Sequence, residues 1–163
     1  MNIILIGFMG SGKSSVAEML ARTRGCAKIE TDELVLQQSG RNSIADIFFH
    51  DGEIAFRELE IQVAKMCGDR VNTVISTGGG MIMNKICIDY MRRNAKVVFL
   101  ATSFAVIKQR LAHDTTRPLF ADIKAAKTLF TLRQGLYRAY ADMTVMTDGR
   151  SVSEISEIIL HTI

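Results

Sequence analysis

The stretch Asn2-Ile3-Ile4-Leu5-Ile6-Gly7-Phe8-Met9-Gly10-Ser11-Gly12-Lys13-Ser14-Ser15 decides the architecture. Five apolar or strand-compatible residues read as a short buried strand. Gly7 to Ser14 then satisfies G-x-x-x-x-G-K-[ST] at every fixed position, and Ser15-Val16-Ala17-Glu18-Met19-Leu20-Ala21-Arg22 follows as a helix. Such a turn needs glycine because the backbone must fold back with successive N–H groups pointing inward, and a Cβ at Gly7 or Gly12 would crowd the concave face. The pattern predicts a nucleoside triphosphate site formed by Gly10, Ser11, Gly12, Lys13, Ser14 and Ser15. Lys13 is expected along the β- and γ-phosphates and Ser14 on Mg²⁺, with the positive end of the helix dipole behind them. The plainer alternative is a glycine-rich turn with no ligand, which the strand-turn-helix context disfavours.

Outward from that stretch, 163 residues suit one domain, 1–163, and a 48% hydrophobic content with a single proline shows no linker or low-complexity tract. Cys26, Cys67 and Cys87 are odd in number and lack C-x-x-C spacing, so free thiols in a reducing cytoplasm are expected rather than disulfides or a zinc site. The apolar start lacks a basic leader and breaks at Gly7. No run approaches the ~20 apolar residues of a membrane span, so a soluble cytoplasmic protein without a membrane partner is expected. Twenty Lys/Arg against 17 Asp/Glu give +3 with the basic residues scattered. That distribution suits a small anionic ligand and not a nucleic acid backbone.

Apolar segments at 3–6, 26–29, 73–76, 96–100 and 143–147 read as strands. Helical spacing is seen at 14–24, 32–38, 44–49, 52–67, 84–93, 104–112, 124–140 and 152–161. The alternation predicts an α/β fold, a three-layer α/β/α sandwich around a five-stranded parallel sheet. In such sheets ligands gather beyond the carboxyl ends of the strands, so the loops at 7–12, 30–32, 77–80 and 101–102 should face one crevice.

GFMGSGKSS, IETDEL, DGEIAFRELE, ISTGGG, TTRPLF and LRQGLYRAYA occur in an order and at a spacing that resemble the shikimate kinases. The first motif is common to many nucleotide-binding proteins. G-E-x-x-F-R, G-G-G, R-P-L and R-x-x-L-Y are far more specific. The resemblance spans nearly the whole chain and implies a P-loop kinase that moves the γ-phosphoryl of ATP to the 3-hydroxyl of shikimate, a step toward chorismate and the aromatic amino acids. It also implies substrate-binding helices over about 31–62, a mobile lid over about 112–121 and a monomer.

Residue by residue, each role stands beside a plainer one. Asp32 follows the second strand, where its carboxylate could accept a proton from an acceptor hydroxyl or simply orient it, since phosphoryl transfer has a loose transition state. Alternatively it only caps a helix. Arg57 and Arg133 resemble the pair that grips the substrate carboxylate, which the planar guanidinium fork matches, with Glu60 orienting Arg57 and Phe56 near the ring. Taken alone, Arg57 with Glu60 would be a solvated surface pair. Gly79 and Gly80, and with them Gly78, resemble the loop that touches substrate, although three glycines also make an ordinary turn. Thr77 is expected near the metal's water shell.

Arg117, before Pro118 in an irregular polar stretch, resembles a lid residue that neutralises charge on the transferred phosphate. Arg110 and the Asp148-Gly149-Arg150 loop resemble the two walls of an adenine pocket, though Arg110 is equally a helix-surface charge. One departure concerns the metal. Family members commonly carry Asp-x-Asp after the second strand, and here the first position is Glu30. His50, His113 and His161 lack ligand spacing, and the nine methionines fit core-filling roles.

Two other classes compete. A kinase for another polyol acid or a nucleotide would share the ATP site without needing paired arginines around Asp32. A nucleotide-dependent switch would need N-K-x-D, and the Asn84-Lys85 pair continues as Ile86-Cys87.

Overall fold

The computed structural model describes residues 1–112 and 122–163. In chain order the elements are β1 (Asn2–Ile6), α1 (Lys13–Arg24), β2 (Ala27–Glu30), α2 (Thr31–Ser39), α3 (Ile44–His50), α4 (Gly52–Gly68) and β3 (Thr73–Ser76). They continue as α5 (Lys85–Met91), β4 (Ala95–Ala101), α6 (Phe104–Leu111), α7 (Ile123–Tyr140), β5 (Met143–Met146) and α8 (Val152–Thr162). The strands lie in the order β2-β3-β1-β4-β5, all pairings parallel, with Leu5 beside Ser76 on one side and Val98 on the other. The expected five-stranded parallel sheet is therefore present.

Each face of β1 builds a separate core. Ile3 and Leu5 pack with Val16 and Leu20 of α1 and Ile155 and Ile159 of α8. Ile4 and Ile6 pack with Val63 of α4, Ile88 of α5, Ile107 of α6 and Tyr137 of α7. The alternation follows from the two-residue period of a strand, and burial of both faces explains why β1 carries no polar side chain between Ile3 and Ile6. All four side chains are essentially solvent-free, which is worth about 1.5–3 kcal/mol each. β2 lies at the sheet edge and is half exposed, with Lys28 guarding against edge-to-edge pairing.

Helix ends differ from the expected ones by a residue or two. Asn84 is the cap of α5 and not its first residue, accepting from the Ile86 N–H at 3.2 Å, and the final turn tightens to a 3-10 turn over Arg92–Asn94. A second 3-10 turn, Met81–Met83, was not expected from the sequence. It buries Met81 and Ile82 in the core beneath α7. No helix among the described residues is long and apolar enough to cross a membrane.

This topology fixes the site. The chain runs from β1 to the left-hand edge and back through β3, then crosses to β4, so the strand order reverses at β1. The loop after β1 therefore opens into the crevice that a switch point creates.

Gly68 closes α4 directly against the Tyr90 carbonyl of α5, leaving no room for a Cβ. Alanine in place of helical glycine ordinarily stabilises by up to about 1 kcal/mol. Here the sign inverts: Gly68→Ala is expected to destabilise by about 1–3 kcal/mol as the helices are pushed apart, read as a lower urea midpoint.

Candidate active site

The loop from Gly7 to Gly12 curls over the end of β1 with Gly7, Gly10 and Gly12 at φ of 152°, 76° and 92°. A Cβ on Gly7 would stand 2.9 Å from both the Leu100 carbonyl and Ser11 Oγ. Lys13 Nζ donates to the Gly7 and Phe8 carbonyls at 2.9 and 3.0 Å, bracing the loop from inside. The N-terminus of α1 has no acidic residue in its first turn, so its dipole is left for an anion. Ser11 Oγ is buried without a hydrogen-bond partner among the described residues. An amide-lined concavity with an ammonium group, an orphan hydroxyl and a bare helix end fits a polyphosphate.

A cleft of about 490 Å³ opens here. The loop and the start of α1 form one wall, including Gly10, Ser11, Gly12, Lys13, Ser14 and Ser15. Arg110 reaches over the loop, donating to the Gly10 carbonyl at 3.0 Å, and so is not merely a helix-surface charge. Arg150 lines the same end and donates to the Met146 carbonyl at 2.8 Å. Beneath the loop, the Thr102 and Thr147 hydroxyls at the ends of β4 and β5 meet at 2.5 Å.

Glu30, Asp32, Thr77 and Gly79 form the opposite wall. With the Ser14 hydroxyl they make a set of hard oxygen donors, the chemistry that suits magnesium. Among the described residues no three His, Cys, Asp or Glu side chains gather as a metal cage. Glu30 is drawn partly toward Lys28, 3.6 Å from its Nζ, and Lys28 also meets Glu18 at 3.1 Å.

From this wall the Gly78-Gly79-Gly80 loop leads to the arginines. A Cβ on Gly78 would collide with the Asp32 carboxylate. One on Gly79 would lie 3.4 Å from the Met9 N and 3.6 Å from the Gly7 carbonyl of the cradle. One on Gly80 would lie 3.3 Å from Arg57 Nη1 and 3.5 Å from Arg133 Nη2. Asp32, Arg57 and Arg133 thus converge on one loop that borders the cradle. Thr31, fully buried, pins that loop by accepting from the Gly78 N–H at 2.8 Å.

The Arg57–Glu60 pair is not the solvated pair it could have been. Glu60 is 2% exposed and accepts from Arg57 Nη1 at 2.7 Å, while Arg57 Nη2 donates to Glu53 at 3.2 Å. Burial pushes the Glu60 carboxyl above its usual range, partly offset by the Arg57 hydrogen bond and charge, and the Asp32 charge adds to the rise. Arg57 is pulled down by burial but held above its ordinary value by Glu60 and Glu53. Arg133, buried to 7% exposure, is lowered by burial and by the Arg57 charge, and its Nε has no partner among the described residues. Arg57 is thus paired with Glu60 and Glu53, whereas among the described residues Arg133 has no carboxylate hydrogen-bonded to it and is the guanidinium that an incoming carboxylate would balance.

Asp32 is not the helix cap that was its alternative. Glu30 occupies the cap position of α2, without a side-chain cap bond, and Asp32 sits in the first turn. Arg117 and the lid expected over about 112–121, Ala112 apart, lie outside the described residues. Thr31 and Tyr137 went unassigned in the sequence. A threonine directly after a strand and beside an acidic residue, and a tyrosine four positions after an arginine on one helix face, were the available signals.

Comparison with known proteins agrees with this arrangement. The shikimate kinase family model matches residues 9–163. A shikimate kinase of Sulfurihydrogenibium sp. (strain YO3AOP1) is 38% identical over 99% of this chain and 97% of its own. One from Lactococcus lactis subsp. lactis (strain IL1403) is 38% identical over 96% of this chain and 94% of its own. Among solved structures, the shikimate kinase from Acinetobacter baumannii in complex with shikimate superposes with a TM-score of 0.91 at 31% identity, covering 98% of this chain and 90% of that one. The enzyme from Aquifex aeolicus vf5 gives 0.86 at 36% identity, covering 99% and 95%. A gluconokinase from Sinorhizobium meliloti 1021, with a TM-score of 0.63 at 20% identity over 98% and 89%, shares the fold alone. With its phosphate cradle, its convergent arginines and a family match running through both, the chain belongs to the shikimate kinase family.

Proposed function

We infer that this chain phosphorylates the 3-hydroxyl of shikimate with ATP, yielding shikimate 3-phosphate on the way to chorismate and the aromatic amino acids. The observation carrying this reading is the meeting of Asp32, Arg57 and Arg133 at the glycine loop beside the cradle. The Acinetobacter relative is a complex with shikimate, which supports the same acceptor here. We assign the reaction to one kinase domain, 1–163, acting as a cytoplasmic monomer, with acceptor-binding helices over about 31–62 and a lid over about 112–121 that brings in Arg117.

When bound, the nucleotide supplies the phosphoryl group and Mg²⁺ neutralises charge on its phosphates. Ser14 would hold the metal. Gly10, Ser11, Gly12 and Ser15 would line the phosphates, Lys13 would meet them, and Arg110 and Arg150 would flank the base. On the acceptor side, Arg57 and Arg133 grip the carboxylate, and Gly79 and Gly80 let the ring approach the backbone. Asp32 then receives the hydroxyl's hydrogen bond, aims its oxygen at the cradle and takes the proton as the oxygen–phosphorus bond forms and the bond from the γ-phosphorus to the departing ADP breaks. Holding both partners in line supplies most of the acceleration, because the loose transition state asks little covalent chemistry of the protein.

ADP release measured against a panel of hydroxylated acids and nucleoside monophosphates should depend on shikimate. Release driven by gluconate or a nucleotide instead would overturn the acceptor assignment. In the same assay Asp32→Asn should lower kcat by about 10²–10⁴-fold while nucleotide affinity survives, and full turnover would remove Asp32 from its role. Arg57→Lys should raise the KM for shikimate about ten-fold or more, as a point charge replaces a fork, with the KM for ATP unmoved.

Glu60 adds a pH signature. Its folded value is raised, so its contribution to stability is complete below the unfolded value of about 4.5 and is lost as pH rises through the higher folded value. The urea midpoint of the parent, relative to Glu60→Gln, should therefore fall as pH rises above about 4.5. A pH-independent difference would mean that Arg57 fully offsets the burial.

A further inference from the structure

We propose that Tyr137 is a positioning residue of the acceptor pocket, which by holding the Gly79 carbonyl sets the Arg133 fork at a fixed distance from the phosphate cradle. This rests on the acceptor reading above. The Gly79 carbonyl accepts two hydrogen bonds, from the Tyr137 hydroxyl at 2.8 Å and from Arg133 Nη1 at 3.1 Å. Both donors come from one face of α7, four residues apart, so they move as a unit. Gly79 also borders the Met9 N and the Gly7 carbonyl of the cradle. One carbonyl therefore joins the carboxylate-gripping arginine to the cradle.

The tyrosine is built to be rigid. It is 1% exposed, and its ring stacks on Phe99 of β4 with centroids 5.0 Å apart and planes 17° from parallel. The hydroxyl's position is thereby referred to the sheet itself. Burial pushes the phenol up to about 12, so it stays a neutral donor at any working pH. With Nη1 committed to Gly79, Arg133 keeps Nη2 beside Gly80 and the unpartnered Nε for an acceptor. Loss of the tyrosine hydroxyl would leave the carbonyl held by Arg133 alone, and the fork free to tilt.

Tyr137→Phe keeps the stack and removes only the hydroxyl. Steady-state kinetics should show the KM for shikimate raised about three- to ten-fold, the range of one lost hydrogen bond, with the KM for ATP unchanged. In an Arg133→Lys background the same change should add less than about two-fold, because its route of action is already gone. Ile159→Val, in the core on the other face of the sheet, serves as the packing control and should lower the melting temperature without that selective KM effect. An unchanged KM for shikimate would overturn the proposal. So would a parallel rise in both KM values with a fall in melting temperature, or effects that multiply in the double variant. Absence of shikimate-dependent ADP release by the parent would overturn the acceptor reading and this one together, whereas failure confined to the Tyr137 comparison leaves the acceptor reading standing.

Discussion

Gly78 lies where a single added carbon would run into the Asp32 carboxylate, and the rest of the site is arranged around the loop that it opens, Gly78-Gly79-Gly80. On one side stands the Asp32 carboxylate, on the other the two guanidinium groups, and beyond Gly79 the backbone of the cradle. Because the loop carries no side chains, two chemically opposed environments can share a wall one backbone thick. Thr31 and Tyr137 then fix that backbone from opposite ends, one through the Gly78 N–H and the other through the Gly79 carbonyl. A flexible three-glycine segment would otherwise lose more conformational entropy on ordering than any other tripeptide, so its anchors have to be buried and strong.

Charge balance around that loop selects the acceptor. Burying Arg133 is costly unless counter-charge is near, and the Glu60 and Glu53 carboxylates are both hydrogen-bonded to Arg57, so among the described residues Arg133 has no carboxylate hydrogen-bonded to it. Asp32 faces the cleft. A neutral polyol would leave the two guanidinium groups facing each other across Gly80. A carboxylate completes the set, and its planar geometry suits two forks better than two point charges. The same reasoning separates this pocket from one for a nucleotide acceptor, whose phosphate would add a further negative charge near Asp32.

Much of the fold was legible in the sequence because both of its periods are strong. The two-residue alternation of β1 sorts Ile3 and Leu5 from Ile4 and Ile6 into separate cores, and the helices repeat at three and four. The cradle was legible for a different reason: phosphate binding by backbone amides leaves a sequence trace in the glycines that the backbone requires. The acceptor side was readable only through resemblance. Local spacing alone made Arg57 and Glu60 a surface pair and Asp32 a cap, because burial of Glu60 and the turn of the chain at Thr31 are set by tertiary packing. The Met81–Met83 turn went unseen since three apolar residues carry no period. Tyr137 is core, and nothing local shows which carbonyl a buried hydroxyl will find.

The two halves of the site also belong to different layers of the sandwich. The cradle leads into α1, which packs on the Ile3 and Leu5 face of the sheet. The acceptor groups come from α2, α4 and α7, whose Val35, Val63 and Tyr137 pack on the opposite face with Ile4 and Ile6. The layers meet at the carboxyl ends of β1 and β3, where Thr77 donates from both its N–H and its hydroxyl to the Leu5 carbonyl at 3.2 and 3.0 Å. Only a short span of backbone is therefore common to both binding events. Side-chain changes on α4 or α7 can alter acceptor affinity without disturbing the nucleotide cradle, while any shift of the Gly79 peptide must be felt by both. Independence of the two pockets and their fixed separation have the same origin, a rigid sheet edge crossed by one side-chain-free loop.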